Sequence, residues 1–236
     1  MTTLAHLLET STPTDQETLI LHAIRCSSFV QRQLAAEAEL LPELLSTLHA
    51  AWTASAMWDW LAQQAIADEA ALKRALRRLR RRVMLRTIVR DLNGLAGPAP
   101  LQNLDEVIQV TSRLAEVTLQ CALQYLTPWL EAVHGVPVGV DGGRQALIVV
   151  GMGKLGGDEL NVSSDIDLIF AFEEDGETER RGHESGKVLS NQEFFTRLGK
   201  KLIAAIDEIT EDGFVFRVDM RLRPYGSEGP LACSFA

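Results

Sequence analysis

The sequence is poor in cysteine and has no long apolar segment. Its three cysteines, Cys26, Cys121 and Cys233, are far apart among 236 residues. An odd number at this spacing suggests neither a disulfide framework nor a zinc site, so we expect reduced cysteines that pack. No apolar run approaches the roughly 20 residues that span a bilayer. The first residues also lack the pattern of a signal peptide, so we expect no membrane contact and a cytoplasmic location by default.

Positive charge is also scarce. The chain has 23 Lys and Arg against 32 Asp and Glu, a net charge of −9, which argues against nonspecific nucleic-acid binding. The arginine-rich run at 73–90 could suggest a nucleic-acid contact, but its apolar residues predict one face of a helix with solvated or acid-paired arginines. These apolar residues are Leu72, Leu76, Leu79 and Val83. We therefore expect no nucleic-acid partner.

Helical spacing of apolar residues dominates the sequence up to about residue 134. A later helix is predicted to begin near Ser190, where Ser190 and Glu193 match a capping box, and to continue through Ile209. The charged residues at 173–187 have no apolar period and predict a mobile loop. The remaining apolar segments are short and predict strands, which together with the helices indicate an α+β protein.

A glycine-rich turn follows the first predicted strand, at 146–150. Gly151, Gly153, Gly156 and Gly157 come directly after it. Glycine allows backbone conformations closed to other residues and lets amide groups approach an anion closely. The spacing fits neither a P-loop nor a dinucleotide fingerprint, because the turn leads into another strand rather than into a helix. We interpret this turn as one half of a phosphate site.

The next strand carries two carboxylates. Asp165 and Asp167 are two residues apart, so they share one face of the strand while Ile166 and Leu168 occupy the other. Neighbouring anions raise one another's pKa and are costly to bury without partners. The pattern therefore predicts a divalent cation, Mg²⁺ or Mn²⁺, since both prefer oxygen ligands and often share them with substrate phosphates.

A third carboxylate, Asp219, lies in the alternating segment at 214–222. That segment predicts a strand with Arg217, Asp219 and Arg221 on one face. Arg221 and Arg223 are suited to phosphate oxygens because arginine binds them through paired donors. The alternative is that Asp219 simply pairs with Arg221 or Arg217.

Two segments carry a recognisable resemblance. GMGKLGGDELNVSSDIDLIFAF and FRVDMRLRPYGSEGPL closely resemble the bifunctional glutamine synthetase adenylyltransferase/adenylyl-removing enzymes, a family of the DNA polymerase β-like nucleotidyltransferase superfamily. Such enzymes are similar in having two nucleotidyltransferase units in tandem. Met152, Asn161 and Met220 favour the N-terminal unit, which removes AMP, over the C-terminal unit, which attaches it.

The resemblance implies a fold and a set of site residues. It implies a helical N-terminal region over 1–135 and, over 136–236, a nucleotidyltransferase core with a small mixed sheet and packed helices. We expect that core to be truncated at its C-terminal end. Asp165, Asp167 and Asp219 match the catalytic, metal-binding carboxylates. Gly156, Gly157 and Ser164 match the family's nucleotide- and phosphate-binding turn. The nearby cations Lys154, Arg221 and Arg223 are assigned to phosphate binding from their charge. For Lys154, solvation is as good an explanation as phosphate contact.

The chemistry implied by the resemblance is metal-dependent phosphorolysis. Inorganic phosphate attacks the adenylylated tyrosine of glutamine synthetase and yields ADP and the unmodified protein, which regulates nitrogen assimilation. The implied partners are glutamine synthetase, phosphate, ADP or ATP, and the PII signal protein through regions that this chain lacks. Two alternatives stay open: adenylyl transfer from ATP by the same fold, and a non-catalytic fragment that only docks partners.

Overall fold

The computed structural model describes residues 4–9, 12–180, 182 and 186–235. Helices and small sheets are both present, which confirms the predicted α+β class. The helices are α1 (Leu4–Glu9), α2 (Asp15–Cys26), α3 (Ser28–Ala36), α4 (Leu40–Thr47), α5 (Ala54–Ala62), α6 (Glu69–Leu92), α7 (Pro100–His134), α8 (Gly153–Gly156) and α9 (Asn191–Asp207). The strands are β1 (Val136–Pro137), β2 (Ile148–Met152), β3 (Ile166–Phe172), β4 (Thr178–Glu179), β5 (Val218–Asp219) and β6 (Ala232–Ser234), and a 3₁₀ turn spans Gly226–Glu228.

Contacts divide the chain into two compact units. The helical unit comprises Met1–Gln64, Arg78–Leu114 and Leu160–Val162. The sheet unit comprises Ala65–Arg77, Ala115–Glu159 and Ser163–Ala236. The division falls inside α6 and α7, whereas the domain boundary at residue 135 stays a prediction from the sequence.

The helical unit is built around an apolar cluster. Helix α2 begins with the capping box of Thr14 and Glu17, in which each side chain binds the other residue's backbone N–H. Apolar residues of α1 to α4 and the second half of α6 then pack together. Their fully buried members include Leu7, Ile20, Val30, Leu34, Leu40, Leu41, Leu85 and Val89.

Helix α6 buries more charge than expected. Its predicted apolar face is confirmed, since Leu72, Leu76, Leu79 and Val83 are all 0% exposed. The prediction for its arginines holds for Arg82, which pairs with Glu43 at 2.9 Å, and for Arg90, which also pairs with an acid. It was wrong for two others, since Arg77 is buried against backbone carbonyls and Arg86 against an aromatic ring. Within the helical unit Arg90 binds Glu106 at 2.6 Å, and the Arg86 guanidinium lies 4.2 Å from the centre of the Trp52 ring. Burial lowers the pKa of Arg86 to about 10.

The sheet unit has β3 at its centre. Strand β2 pairs antiparallel with one edge of β3, and β5 and β6 pair parallel with successive parts of the other edge. Helix α9 packs through its predicted apolar residues, among them Phe194, Phe195, Leu198, Leu202 and Ile206, all 0% exposed. This packing places a rigid layer behind one face of the sheet.

Two expectations about this unit need correction. Helix α9 has Ser190 as its N-cap, with the Glu193 N–H bound to the Ser190 hydroxyl at 3.1 Å, but it ends at Asp207 and leaves Ile209 80% exposed. The expected loop at 173–187 contains strand β4, which pairs antiparallel with β1 and buries Thr178. Residues 181 and 183–185 of that segment lie outside the described residues.

Candidate active site

Strand β3 follows the alternation that its sequence predicts. Ile166, Leu168 and Phe170 are at most 1% exposed, whereas Asp167 is half-buried and Asp165, just before the strand, is exposed. The apolar side chains form one face of the strand because successive residues point in opposite directions. The carboxylates are thereby held on the other face, away from the core.

Strand β5 brings the third carboxylate beside the first two. It pairs parallel with β3 in a register that sets Asp219 directly opposite Asp167. Side chains opposite one another on neighbouring strands point to the same face, so both carboxylates project from one side of the sheet.

The strand around Asp219 is much shorter than the sequence predicts. Only Val218 and Asp219 form strand pairs, although a strand was expected over 214–222. The N–H groups of Val215 and Phe216 donate to the Ile206 carbonyl at 2.9 and 3.3 Å, so this part of the chain closes onto the end of α9 instead. Val215 and Phe216 are both buried, which breaks the expected alternation.

The glycine segment forms a strand end and one helical turn rather than an open loop. Strand β2 continues through Gly151 to Met152, which lies opposite Asp167, and α8 follows at Gly153–Gly156. Gly153 has φ +52°, and a Cβ built there would lie 2.8 Å from Oδ2 of Asp167. A Cβ at Gly156 would lie 2.6 Å from the Gly151 carbonyl oxygen. A side chain is therefore excluded at Gly153, which lies against the Asp167 carboxylate, and at Gly156, which lies against the Gly151 carbonyl.

Arginines contact two of the three carboxylates. Nε of Arg217 donates to Oδ1 of Asp165 at 2.6 Å. Nε of Arg221 donates to both oxygens of Asp219, at 3.0 Å to Oδ1 and 2.7 Å to Oδ2, and the Arg221 backbone N–H donates to Oδ1 at 2.8 Å. The pairing of Asp219 with Arg221 that the sequence left open is thus present, whereas Arg217 pairs with Asp165, which was not expected.

These contacts shift the pKa of two groups. The pKa of Asp219 lies below its usual value because of the hydrogen bonds from the Arg221 side chain and backbone. The pKa of Arg221 is raised, first by its hydrogen bond with Asp219 and then by the negative charges of Asp219, Asp167 and Asp165. One guanidinium therefore lies in the field of all three carboxylates.

The other predicted phosphate-binding residues lie close in sequence to the glycine turn or to the carboxylates. Lys154 is exposed on α8, and the Gly157 N–H ends that turn by donating to the Gly153 carbonyl at 3.0 Å. Ser164 is half-buried immediately before Asp165. Nη1 of Arg223 donates to the Met220 carbonyl at 2.8 Å. The contacts of these residues give no test of phosphate binding, which stays a prediction.

The donor chemistry of the carboxylates fits a hard divalent cation. Asp167 and Asp219 carry carboxylate oxygens on adjacent strands, and such oxygens are the ligand type that Mg²⁺ and Mn²⁺ prefer. Within the described ranges, no three His, Cys, Asp or Glu side chains are arranged as a ready cluster of metal ligands. Guanidinium groups contact oxygens of Asp165 and Asp219 instead.

Comparison with known proteins assigns the chain to a family. Residues 18–236 match the family model for glutamate-ammonia ligase adenylyltransferase. The chain belongs to this family. Three relatives named bifunctional glutamine synthetase adenylyltransferase/adenylyl-removing enzyme are 47% identical over 95% of the chain in Nitrosomonas europaea, 47% over 91% in Aromatoleum aromaticum, and 55% over 71% in Burkholderia pseudomallei. The resemblance seen in the sequence is confirmed.

The chain is much shorter than these relatives. The matched region covers 24%, 22% and 17% of their respective lengths. In the described part of this family member, no helix is both long enough and apolar enough to cross a bilayer. The cytoplasmic location expected from the sequence stays a prediction.

Two residues of this site were not among those predicted from the sequence. Arg217 was considered as a partner of Asp219, yet it contacts Asp165. Its place two residues before Asp219 was the available signal, because period-two spacing sets both on one strand face. Gly153 was recognised as part of a flexible turn, but only the three-dimensional structure shows that it abuts Asp167.

Proposed function

We propose that this chain carries the adenylyl-removing activity of its family, acting on adenylylated glutamine synthetase by phosphorolysis. The observation that carries the proposal is the register of two parallel strands, which sets Asp167 opposite Asp219 beside a glycine turn. The names of the relatives support glutamine synthetase as the protein substrate. The sequence around Met152, Asn161 and Met220 supports removal of AMP over its addition.

The three carboxylates have a common role in this proposal. Asp165, Asp167 and Asp219 would hold Mg²⁺ or Mn²⁺, whose charge, when bound, stabilises the phosphoryl oxygens of the transition state. The chain's own contribution is to fix these oxygens on two hydrogen-bonded strands. A rigid sheet holds ligands more accurately than a loop, which favours a catalytic use of this face.

Cationic and amide groups would orient the two phosphate-containing reactants. Arg221, Arg223 and Lys154 would supply positive charge to the adenylyl group and to inorganic phosphate. The backbone amides of Gly156 and Gly157 and the hydroxyl of Ser164 would add uncharged donors. These groups would hold the attacking phosphate oxygen in line with the tyrosine oxygen that leaves.

The proposed reaction balances without any further reactant. An oxygen of inorganic phosphate forms a bond to the α-phosphorus, and the bond between that phosphorus and the tyrosine oxygen breaks. The phenolate takes up the proton that inorganic phosphate loses on forming ADP, because tyrosine has a pKa of about 10. The products are ADP and unmodified glutamine synthetase. No oxidation or reduction is involved.

The direct test measures ADP. The purified chain is incubated with adenylylated glutamine synthetase, MgCl₂ and labelled inorganic phosphate, and labelled ADP is separated and counted. We expect ADP from the wild type and a loss of at least about a hundredfold in Asp167→Asn, because a transition-state charge partner is removed. Asp141→Asn is the matched control, since Asp141 is exposed and accepts a hydrogen bond from the Gly143 N–H of its own turn at 2.8 Å.

The same experiment separates the alternatives. Transfer of labelled AMP from ATP to unmodified glutamine synthetase, without ADP release from the adenylylated form, would favour the forward reaction. Binding of glutamine synthetase without either product would favour a docking fragment. ADP formation that is equal in the wild type and Asp167→Asn would refute the proposed site.

A further inference from the structure

The carboxylate face contains an imbalance of charge. Asp167 and Asp219 carry negative charges on two adjacent strands, Asp165 adds a third just before β3, and Arg217 and Arg221 contact two of the three. Like charges opposite one another destabilise a sheet. The two guanidinium groups therefore offset most of the repulsion that the cluster would otherwise create.

The guanidinium groups occupy oxygens that a cation would need. Arg221 reaches both oxygens of Asp219. Its Nε lies 3.0 Å from Oδ1 and 2.7 Å from Oδ2, and its Nη2 lies 2.5 Å from Oδ2. Nε of Arg217 lies 2.6 Å from Oδ1 of Asp165. A carboxylate that accepts a guanidinium in this way has fewer lone pairs directed to a metal ion. Cation and arginine would thus compete for the same two residues.

Both arginine side chains are free to leave, and Asp219 is held more firmly than its arginine partner. The side chains of Arg217 and Arg221 are 65% and 87% exposed, so either can turn into solvent. The Asp219 side chain is only 19% exposed and is also held by the Arg221 backbone N–H at 2.8 Å. Because that backbone bond does not depend on the guanidinium, Asp219 would stay oriented after the side chain departs.

We infer that Arg217 and Arg221 are resident counter-ions that a divalent cation displaces from Asp165 and Asp219, which frees both guanidinium groups to meet the phosphates of the reactants. This inference rests on the proposed function, because it concerns the same site. It assigns Arg217 a role beside Arg221 and makes both arginines act against metal binding. If the arginines instead only oriented the carboxylates for the metal ion, their removal would weaken metal binding.

The test is a calorimetric titration with MnCl₂. We expect Arg217→Gln and Arg221→Gln each to lower the Kd for Mn²⁺ by about two- to fivefold, since exposed ion pairs weigh about that much in an equilibrium constant. Arg32→Gln removes one exposed positive charge from the helical unit and should leave the Kd unchanged. Asp167→Asn should abolish the high-affinity phase in all backgrounds.

The outcomes distinguish the inference from the function on which it rests. Tighter binding in both arginine variants, with Arg32→Gln unchanged, supports counter-ion exchange. Binding that is unchanged or weaker in the arginine variants, while Asp167→Asn abolishes it, overturns the exchange alone and leaves the metal site in place. No binding in any protein overturns both the exchange and the metal-dependent function.

A spectroscopic measurement checks the displacement itself. The Nε–H signals of Arg217 and Arg221 are assigned in ¹⁵N spectra by their loss in the two glutamine variants. Addition of MgCl₂ should shift both signals toward the positions of solvated arginine, whereas the Arg32 signal should not move. Signals of Arg217 and Arg221 that stay in place at Mg²⁺ saturation would overturn the inference.

Discussion

Substitution of Gly153 by alanine tests how the glycine turn serves the carboxylates. Gly153 has φ +52°, and its added Cβ would lie 2.8 Å from Oδ2 of Asp167. A real Cβ does not tolerate such an approach, so the carboxylate or the turn must shift. We expect Gly153→Ala to lower both the stability of the chain and its affinity for Mn²⁺.

The two effects can be separated by size and by a control. A left-handed backbone costs a non-glycine residue about 1–2 kcal/mol, part of which is offset by the lower entropy of the unfolded alanine variant. Gly142 has φ +78° and no atom within 4 Å of an added Cβ. Gly142→Ala should therefore show the backbone cost of about 1 kcal/mol without any effect on the carboxylates.

Thermal unfolding and Mn²⁺ titration provide the two measurements. A loss of about 1 kcal/mol corresponds to a fall of about 2–4 °C in Tm for a chain of this size. Both variants should show this fall, but only Gly153→Ala should also raise the Kd for Mn²⁺, by about tenfold if Asp167 is displaced. Equal Mn²⁺ affinity in the two variants would refute the role given to the contact between Gly153 and Asp167.

Three further predictions concern buried charge, backbone strain and pH. Arg77 is 1% exposed and donates to the carbonyls of Ala205 and Gly213 at 2.9 and 2.7 Å, so Arg77→Met should cost about 3 kcal/mol in urea unfolding, whereas the exposed Arg74→Met should cost little. Tyr225 has φ +62° and is 86% exposed, so Tyr225→Gly should raise stability by up to about 1 kcal/mol; a lower Tm would contradict this. The lowered pKa of Asp219 favours folding above its unfolded pKa, and this contribution is lost as pH falls through the folded value. NMR titration should find a higher Asp219 pKa in Arg221→Gln, which keeps the backbone N–H bond, and an unchanged value would exclude the Arg221 side chain as a cause.

Local patterns in the sequence predicted the elements whose structure depends on nearby residues. The alternation of Asp165 to Phe170 gave one apolar and one acidic face to β3, as the burial of Ile166 and Leu168 confirms. The apolar spacing after Ser190 predicted the buried face of α9 in the same way. Period and capping are properties of adjacent residues, so a single sequence contains them.

Features that depend on distant residues could not be read in the same way. The strand at Asp219 is short because Val215 and Phe216 bond to Ile206 at the end of another element. Arg77 is buried because its partners include Gly213, far along the chain. The glycine-rich spacing predicted a turn, but it did not show that Gly153 has a positive φ or that it lies against the Asp167 carboxylate.

The proposed function requires Asp167 and Asp219 to act together in removing AMP from glutamine synthetase. A double-mutant cycle on labelled ADP formation, with Asp167→Asn, Asp219→Asn and both together, tests it most directly. We expect each single change to lower the rate by at least about a hundredfold and the double change to add little, because one joint site is already lost. Losses that multiply, or a single variant with the wild-type rate, would contradict the claim.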